Sequence, residues 1–139
     1  MKVLSLHENF QLPTKGTHGA GAYDIYMPEA GIAHADCHVM VPLGFAAEVP
    51  KGYVALILPR SGVGANKGLE LNNTCGVIDS DYRGEWMASL KTKNTETLHW
   101  VAGERILQYL LVPVLNSPPE CVLVLTSTRR LGGFGSTGA

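Results

Sequence analysis

The chain has 139 residues, 45% of them apolar and 17% charged, with a formal net charge of −1. That length fits one domain, and the apolar share is too high for a disordered chain. The near-neutral balance excludes a global basic field for nucleic acid, so any phosphate binding must come from local arginines and backbone groups.

Short strands punctuated by Gly and Pro dominate the chain. Residues 1–6 lack the full apolar region of a secretory signal, and 3–6 form a first predicted strand. A loop rich in Gly, Thr and Pro covers 12–21, and a strand at 23–26 stops at Pro28. Short strands follow at 31–33, 38–41 and 45–49. The stretch 52–58 holds the apolar run Val54-Ala55-Leu56-Ile57-Leu58, and its bracketing by Pro50 and Pro59 predicts a buried strand. Residues 62–68 can hold a short helical turn. Strands at 87–91 and 98–101 flank the polar turn Asn94-Thr95-Glu96. Residues 105–112 and 121–126 complete the set. The segment 103–111 also fits an amphipathic helix, but Pro113 and the neighbouring strands favour a strand. Close-spaced short strands predict an all-β, jelly-roll-like sandwich or barrel. No apolar run approaches the roughly 20 residues of a membrane helix, so no membrane partner is expected. Residues 1–128 are predicted to form the β-domain and 129–139 a flexible Gly-rich arm around the single aromatic Phe134. Cys37, Cys75 and Cys121 are odd in number and far apart, which predicts buried thiols in the cytoplasm or another reducing compartment. The five histidines are scattered and support no zinc site.

The stretch 76–85, Gly-Val-Ile-Asp-Ser-Asp-Tyr-Arg-Gly-Glu, carries the chemistry. Val77 and Ile78 suit a strand end, Asp79-Ser80-Asp81 is turn chemistry, and Gly76 and Gly84 suggest a tight hairpin whose backbone a ligand can approach. From residue type alone, Asp79 is either a general base or a turn-stabilising carboxylate, and Tyr82 either a ligand contact or a packed core ring.

This stretch resembles the third motif of the trimeric dUTP pyrophosphatases. Gly21-Ala22-Tyr23-Asp24-Ile25 resembles the first motif, Pro59-Arg60-Ser61-Gly62 the second and Gly103-Glu104-Arg105-Ile106-Leu107-Gln108 the fourth. Gly132-Gly133-Phe134-Gly135-Ser136-Thr137-Gly138 resembles the fifth. All five stand in the family's order. The departures are Gly21-Ala22 in place of Ala-Gly, Leu107 in place of Ala, and Arg130 after Arg129 where the family has Gly.

The resemblance implies a homotrimer that hydrolyses dUTP to dUMP and pyrophosphate by water attack on the α-phosphorus, limiting uracil in DNA and supplying dUMP. It assigns Asp79 as general base and lays Tyr82 against the deoxyribose, where a 2′-hydroxyl would collide. Asn73, with Asn72 as its competitor, would read the uracil edge together with backbone groups at Gly76 and Ile78. Arg60, Ser61, Gly62 and Gln108 would hold phosphates, with Asp24 supporting the arginine. From the arm, Phe134 would stack on the base, while Arg129 (or Arg130), Gly135, Ser136 and Thr137 would wrap the γ-phosphate. Mg²⁺ is expected on the triphosphate and its waters, with no direct protein ligand. Two alternatives remain at this point: a dCTP deaminase-like enzyme of the same fold, and a nucleotide-sensing regulatory protein with a protein partner.

Overall fold

The computed structural model describes residues 1–126, so the expected arm from Arg129 onward lies outside the described residues. Its elements run β1 (Lys2–Ser5), β2 (Tyr23–Ile25), β3 (Gly31–Ala33), β4 (Val39–Pro42), β5 (Phe45–Glu48), β6 (Tyr53–Pro59), α1 (Ser61–Lys67), β7 (Leu69–Leu71), β8 (Gly76–Ile78), β9 (Met87–Thr92), β10 (Leu98–Trp100) and β11 (Leu107–Pro113). The fold is all-β and jelly-roll-like.

Among the described residues all the ladders are antiparallel, and they form four sheets with orders β2-β11-β6-β8, β4-β9-β7, β1-β5 and β3-β10. The long β6–β11 ladder, from Pro59 opposite Leu107 to Tyr53 opposite Pro113, is the spine. The apolar run of β6 makes it a central strand: Ala55 and Ile57 are buried, and Val54, Leu56 and Leu58 half-buried. β9 alternates cleanly, with Ala88, Leu90 and Thr92 turned inward. The core centres on fully buried Trp86. Its ring lies 4.9 Å from Phe45 and meets Tyr109 edge-on at 5.3 Å, and Tyr109 in turn stacks on Tyr23. Burying each such side chain contributes on the order of 1.5–3 kcal/mol. The buried Trp86 indole Nε1 has no hydrogen-bond partner among the described residues.

Four expectations need correction or refinement. Residues 121–126 are not a strand: they pair with no strand among the described residues, and Leu123, Val124 and Leu125 stand exposed. Within 103–111, Leu107 onward is strand, since the ladder to β6 outcompetes the helical pattern. The helical turn is α1, which ends at Gly68 in the left-handed conformation (φ 76°). The thiols are not buried: Cys37 and Cys121 are exposed and Cys75 is half-buried, because all three lie in turns and connections outside the core.

Candidate functional site

At one end of β6 two arginines converge on one carboxylate. Asp24, on β2 and only 6% exposed, pairs in register with Gln108 on β11. Its Oδ1 accepts from Arg60 Nε at 3.0 Å and its Oδ2 from Arg105 Nη1 at 3.2 Å. Arg60 Nη1 also donates to the Arg105 carbonyl at 3.0 Å, and the Arg105 guanidinium lies 5.7 Å from the centre of the Tyr26 ring. Gln108 Nε2 donates to the Pro59 carbonyl at 3.0 Å, fixing the chain just before Arg60. Two guanidinium groups on one carboxylate leave a surplus positive charge, and both arginines remain more than a third exposed. Ser61 and Gly62 open α1 beside them, with no acidic residue in the first turn. The N–H groups of a helix's first turn have no intrahelical acceptor. The cluster is therefore built to face an anion.

At the other end of β6 lies the loop 79–86. Gly76 and Gly84 do not frame a hairpin, which corrects the expectation. β8 belongs to the sheet of β6, whereas β7 and β9 belong to another, so the connections before and after β8 cross between sheets. The two glycines serve close contacts instead. A Cβ on Gly76 would meet the Ile57 side chain at 3.1 Å, and one on Gly84 would run into the Tyr82 ring. Before β8, Thr74 holds φ 71°, and among the described residues no other non-glycine has positive φ. Its N–H donates to the Leu71 carbonyl, and the Cys75 N–H donates to the Asn73 carbonyl. Asn72 and Asn73 are both exposed in this connection, while Gly76 and Ile78 are buried.

After β8, Asp79 is exposed, and its carbonyl accepts from the Tyr82 N–H at 3.2 Å. Tyr82 is 42% exposed, and its hydroxyl donates to the Glu85 carbonyl at 2.9 Å, which fixes the ring over Gly84. Arg83 Nη1 donates to the carbonyls of Ser80 and Tyr82. The Glu85 carboxylate accepts from the Gly44 N–H at 3.0 Å and ties the loop's end to the β4–β5 turn. Asp79, Ser80 and Asp81 border an open groove with Tyr53, Val54 and Leu115.

One chain does not unite the two ends. Ile78 pairs with Ala55, so Asp79 comes level with Val54, whereas Arg60 lies beyond the opposite end of β6. Six residues of strand separate the levels, roughly 20 Å at ~3.3 Å per residue. Arg60, Gln108 and Asp24 form one constellation; Asp79 and Tyr82 form another. Arg129, Phe134, Gly135, Ser136 and Thr137 lie outside the described residues. The sequence reading overlooked Arg105, Arg83 and Glu85. Arg105 stood inside the fourth motif as a charge leading into an apolar strand, which was a usable signal; the backbone contacts of Arg83 and Glu85 have no counterpart in sequence.

Three comparisons with known proteins bear on this arrangement. The family model described as dUTPase matches residues 8–138. Curated relatives named deoxyuridine 5'-triphosphate nucleotidohydrolase include one from Yarrowia lipolytica, 39% identical over 143 residues and covering 99% of this chain and 88% of the relative. Another, from Hydrogenobaculum sp., is 39% identical over 142 residues and covers 99% of both chains. Among solved structures, a mutant dUTPase of Staphylococcus bacteriophage 80alpha with dUpNHpp superposes with a TM-score of 0.90 at 24% identity, covering 99% of this chain and 98% of that one. A mutant dUTPase from phage phi11 of S. aureus, described with a structural Mg(II) ion, gives 0.80 at 22% identity, covering 88% and 96%. At these identities the structural likeness speaks for the fold.

Proposed function

The chain belongs to the dUTPase family and hydrolyses dUTP, and from that premise we propose how its residues divide the work. The observation that carries the proposal is the pairing of an arginine cluster held by Asp24 with a separate loop presenting an exposed Asp79 beside Tyr82. A triphosphate needs the first. A sugar and an attacking water need the second.

Asp79 orients a water in line with the α-phosphorus and takes its proton as the leaving pyrophosphate departs. Tyr82 lies against the deoxyribose and excludes a 2′-hydroxyl. Asn73, with the backbone at Gly76 and Ile78, reads uracil. Arg60, Ser61, Gly62 and Gln108 hold the phosphates, and residues 129–139 close as an arm, with Phe134 over the base and Arg129, Gly135, Ser136 and Thr137 around the γ-phosphate. Both oxygens of Asp24 are engaged by arginine. Mg²⁺ would be held by phosphate oxygens and water, where it would offset charge and orient the triphosphate.

The roughly 20 Å between the Asp79 and Arg60 levels supports a site assembled from more than one copy, as in a homotrimer. Exposed Leu115, Leu123, Val124 and Leu125 supply apolar surface for such contacts. Three free thiols, two of them exposed, support a reducing compartment. No helix among the described residues is long and apolar enough to cross a membrane. The deaminase alternative is not favoured, because the family and its curated relatives are dUTP hydrolases. The test offers purified protein dUTP or dCTP with Mg²⁺ and measures pyrophosphate and ammonia. Pyrophosphate from dUTP is expected; ammonia from dCTP would overturn the reading.

A further inference from the structure

Arg83 is the cation inside the loop that carries Asp79 and Tyr82, and though the residue is exposed, one of its guanidinium nitrogens is bonded to the loop's own backbone. One nitrogen, Nη1, donates to the Ser80 carbonyl at 2.8 Å and to the Tyr82 carbonyl at 2.9 Å. Two carbonyls pointing at one spot place their negative ends together, which the backbone avoids unless a cation lies between them. The loop's two ends are held by other means. Ile78, just before Asp79, is in the ladder with β6, and Glu85 is fastened to the Gly44 N–H. The middle, 80–83, has the Tyr82 N–H to Asp79 carbonyl bond of 3.2 Å, the Tyr82 hydroxyl to Glu85 carbonyl bond of 2.9 Å and the Arg83 contacts, and of these the Arg83 contacts alone engage the Ser80 carbonyl. Arg83 also lines an open groove with Lys2, Val3, Leu4, Ala46, Ala47 and Glu48 of the β1–β5 pair, a sheet that does not carry the loop.

We propose that Arg83 is a positioning residue for hydrolysis: by bridging the Ser80 and Tyr82 carbonyls it holds Asp79 and Tyr82 in the mutual placement the reaction needs. The proposal rests on the reading of Asp79 as general base and Tyr82 as sugar contact. The Nη1 donors are committed to backbone oxygens, which ties the side chain to the loop. A displacement of about 1 Å in a reacting group can cost on the order of a hundredfold in rate, so a loosened loop should register in turnover before affinity.

The test compares Arg83→Met, which keeps length without a donor, with Arg83→Lys, which keeps a cationic donor. The measurements are kcat and KM for dUTP, the melting temperature, and hydrogen exchange at the Tyr82 amide, which needs no substrate. For Arg83→Met we expect kcat to fall roughly tenfold or more with KM within about twofold, and the Tyr82 amide to exchange about tenfold faster. Arg83→Lys should recover most of both. Unchanged kcat in Arg83→Met, a raised KM at constant kcat, or a lowered melting temperature with kcat and Tyr82 exchange intact would each overturn the proposal. If the unaltered protein fails to hydrolyse dUTP, the functional reading falls. The Tyr82 exchange in Arg83→Met still decides whether the bridge holds the loop: unchanged exchange overturns it there too.

Discussion

Tyr82 lies across Gly84, so that a Cβ on Gly84 would stand 2.7 Å from the ring carbon Cζ of Tyr82. An alanine there must push the ring aside. Tyr82 is 42% exposed and can move at small cost to stability. Gly84→Ala is therefore expected to change folding stability by less than about 1 kcal/mol. Its preference for dUTP over UTP, read as the ratio of kcat/KM values, should fall by roughly fivefold or more, since that discrimination is steric. An unchanged ratio with an unchanged rate would detach Tyr82 from sugar recognition.

Asp79→Asn keeps a side chain that can orient water but cannot accept its proton. We expect kcat to drop by about a hundredfold or more, the usual contribution of a general base. Calorimetric affinity for a non-hydrolysable dUTP analogue should stay within about threefold, or ~0.7 kcal/mol. Residual turnover within tenfold of the original, about 1.4 kcal/mol, contradicts the assignment.

Mixing two inactive chains tests whether a site draws on more than one copy. Asp79→Asn and Arg60→Gln should each lack activity alone. Refolded together, they should regain a fraction of it, because some mixed assemblies contain a site with both residues intact. Recovery no greater than that of either parent places Asp79 and Arg60 of one site on the same chain, against the separation along β6.

Asp24→Asn removes the charge on which Arg60 and Arg105 converge. A wholly buried group would lose more, but both arginines reach solvent, so the loss is discounted to about 1–3 kcal/mol by urea unfolding. KM for dUTP should rise as well, because the single amide oxygen can accept from only one of the two arginines and its NH₂ faces the other.

Burial, and after it the neighbouring Tyr23, pushes the Tyr109 phenol up from 10.0 to about 12. The folded chain holds this proton more tightly than the unfolded one. The resulting stability is complete below a pH of about 10 and is lost as pH rises to about 12. Urea unfolding across that window should show a decline of about 2 kcal/mol attributable to this group. Tyr109→Phe should lack that component, and equal slopes for the two proteins would refute the shift.

The sequence disclosed elements whose own residues dictate them. The apolar run of β6 between two prolines, the helical turn at 62–68 and the strand at 87–91 could all be read in one dimension. Asp24, Arg60 and Gln108 were found as motif residues, and they do meet, because the pairing of β11 with both β2 and β6 brings them together. What stayed hidden depends on partners far along the chain. Residues 121–126 have the composition of a strand but pair with no edge among the described residues, and composition carries no information about edges. Gly76 and Gly84 looked like turn glycines; only the packed rings and side chains around them show that they are contact glycines. Arg83 was visible as a letter, but its bonds go to carbonyls, which every residue has.

Thr74 offers a last consequence, for protein engineering. A β-branched residue at φ 71° costs on the order of 1–3 kcal/mol that a glycine would not incur. A library selected for heat resistance should therefore find Thr74→Gly early. The same change frees the backbone between Asn73 and Gly76, where we propose that the base is read, so the hardier variants should discriminate less well among pyrimidines. At this position, selection for endurance and selection for accuracy pull the gene in opposite directions.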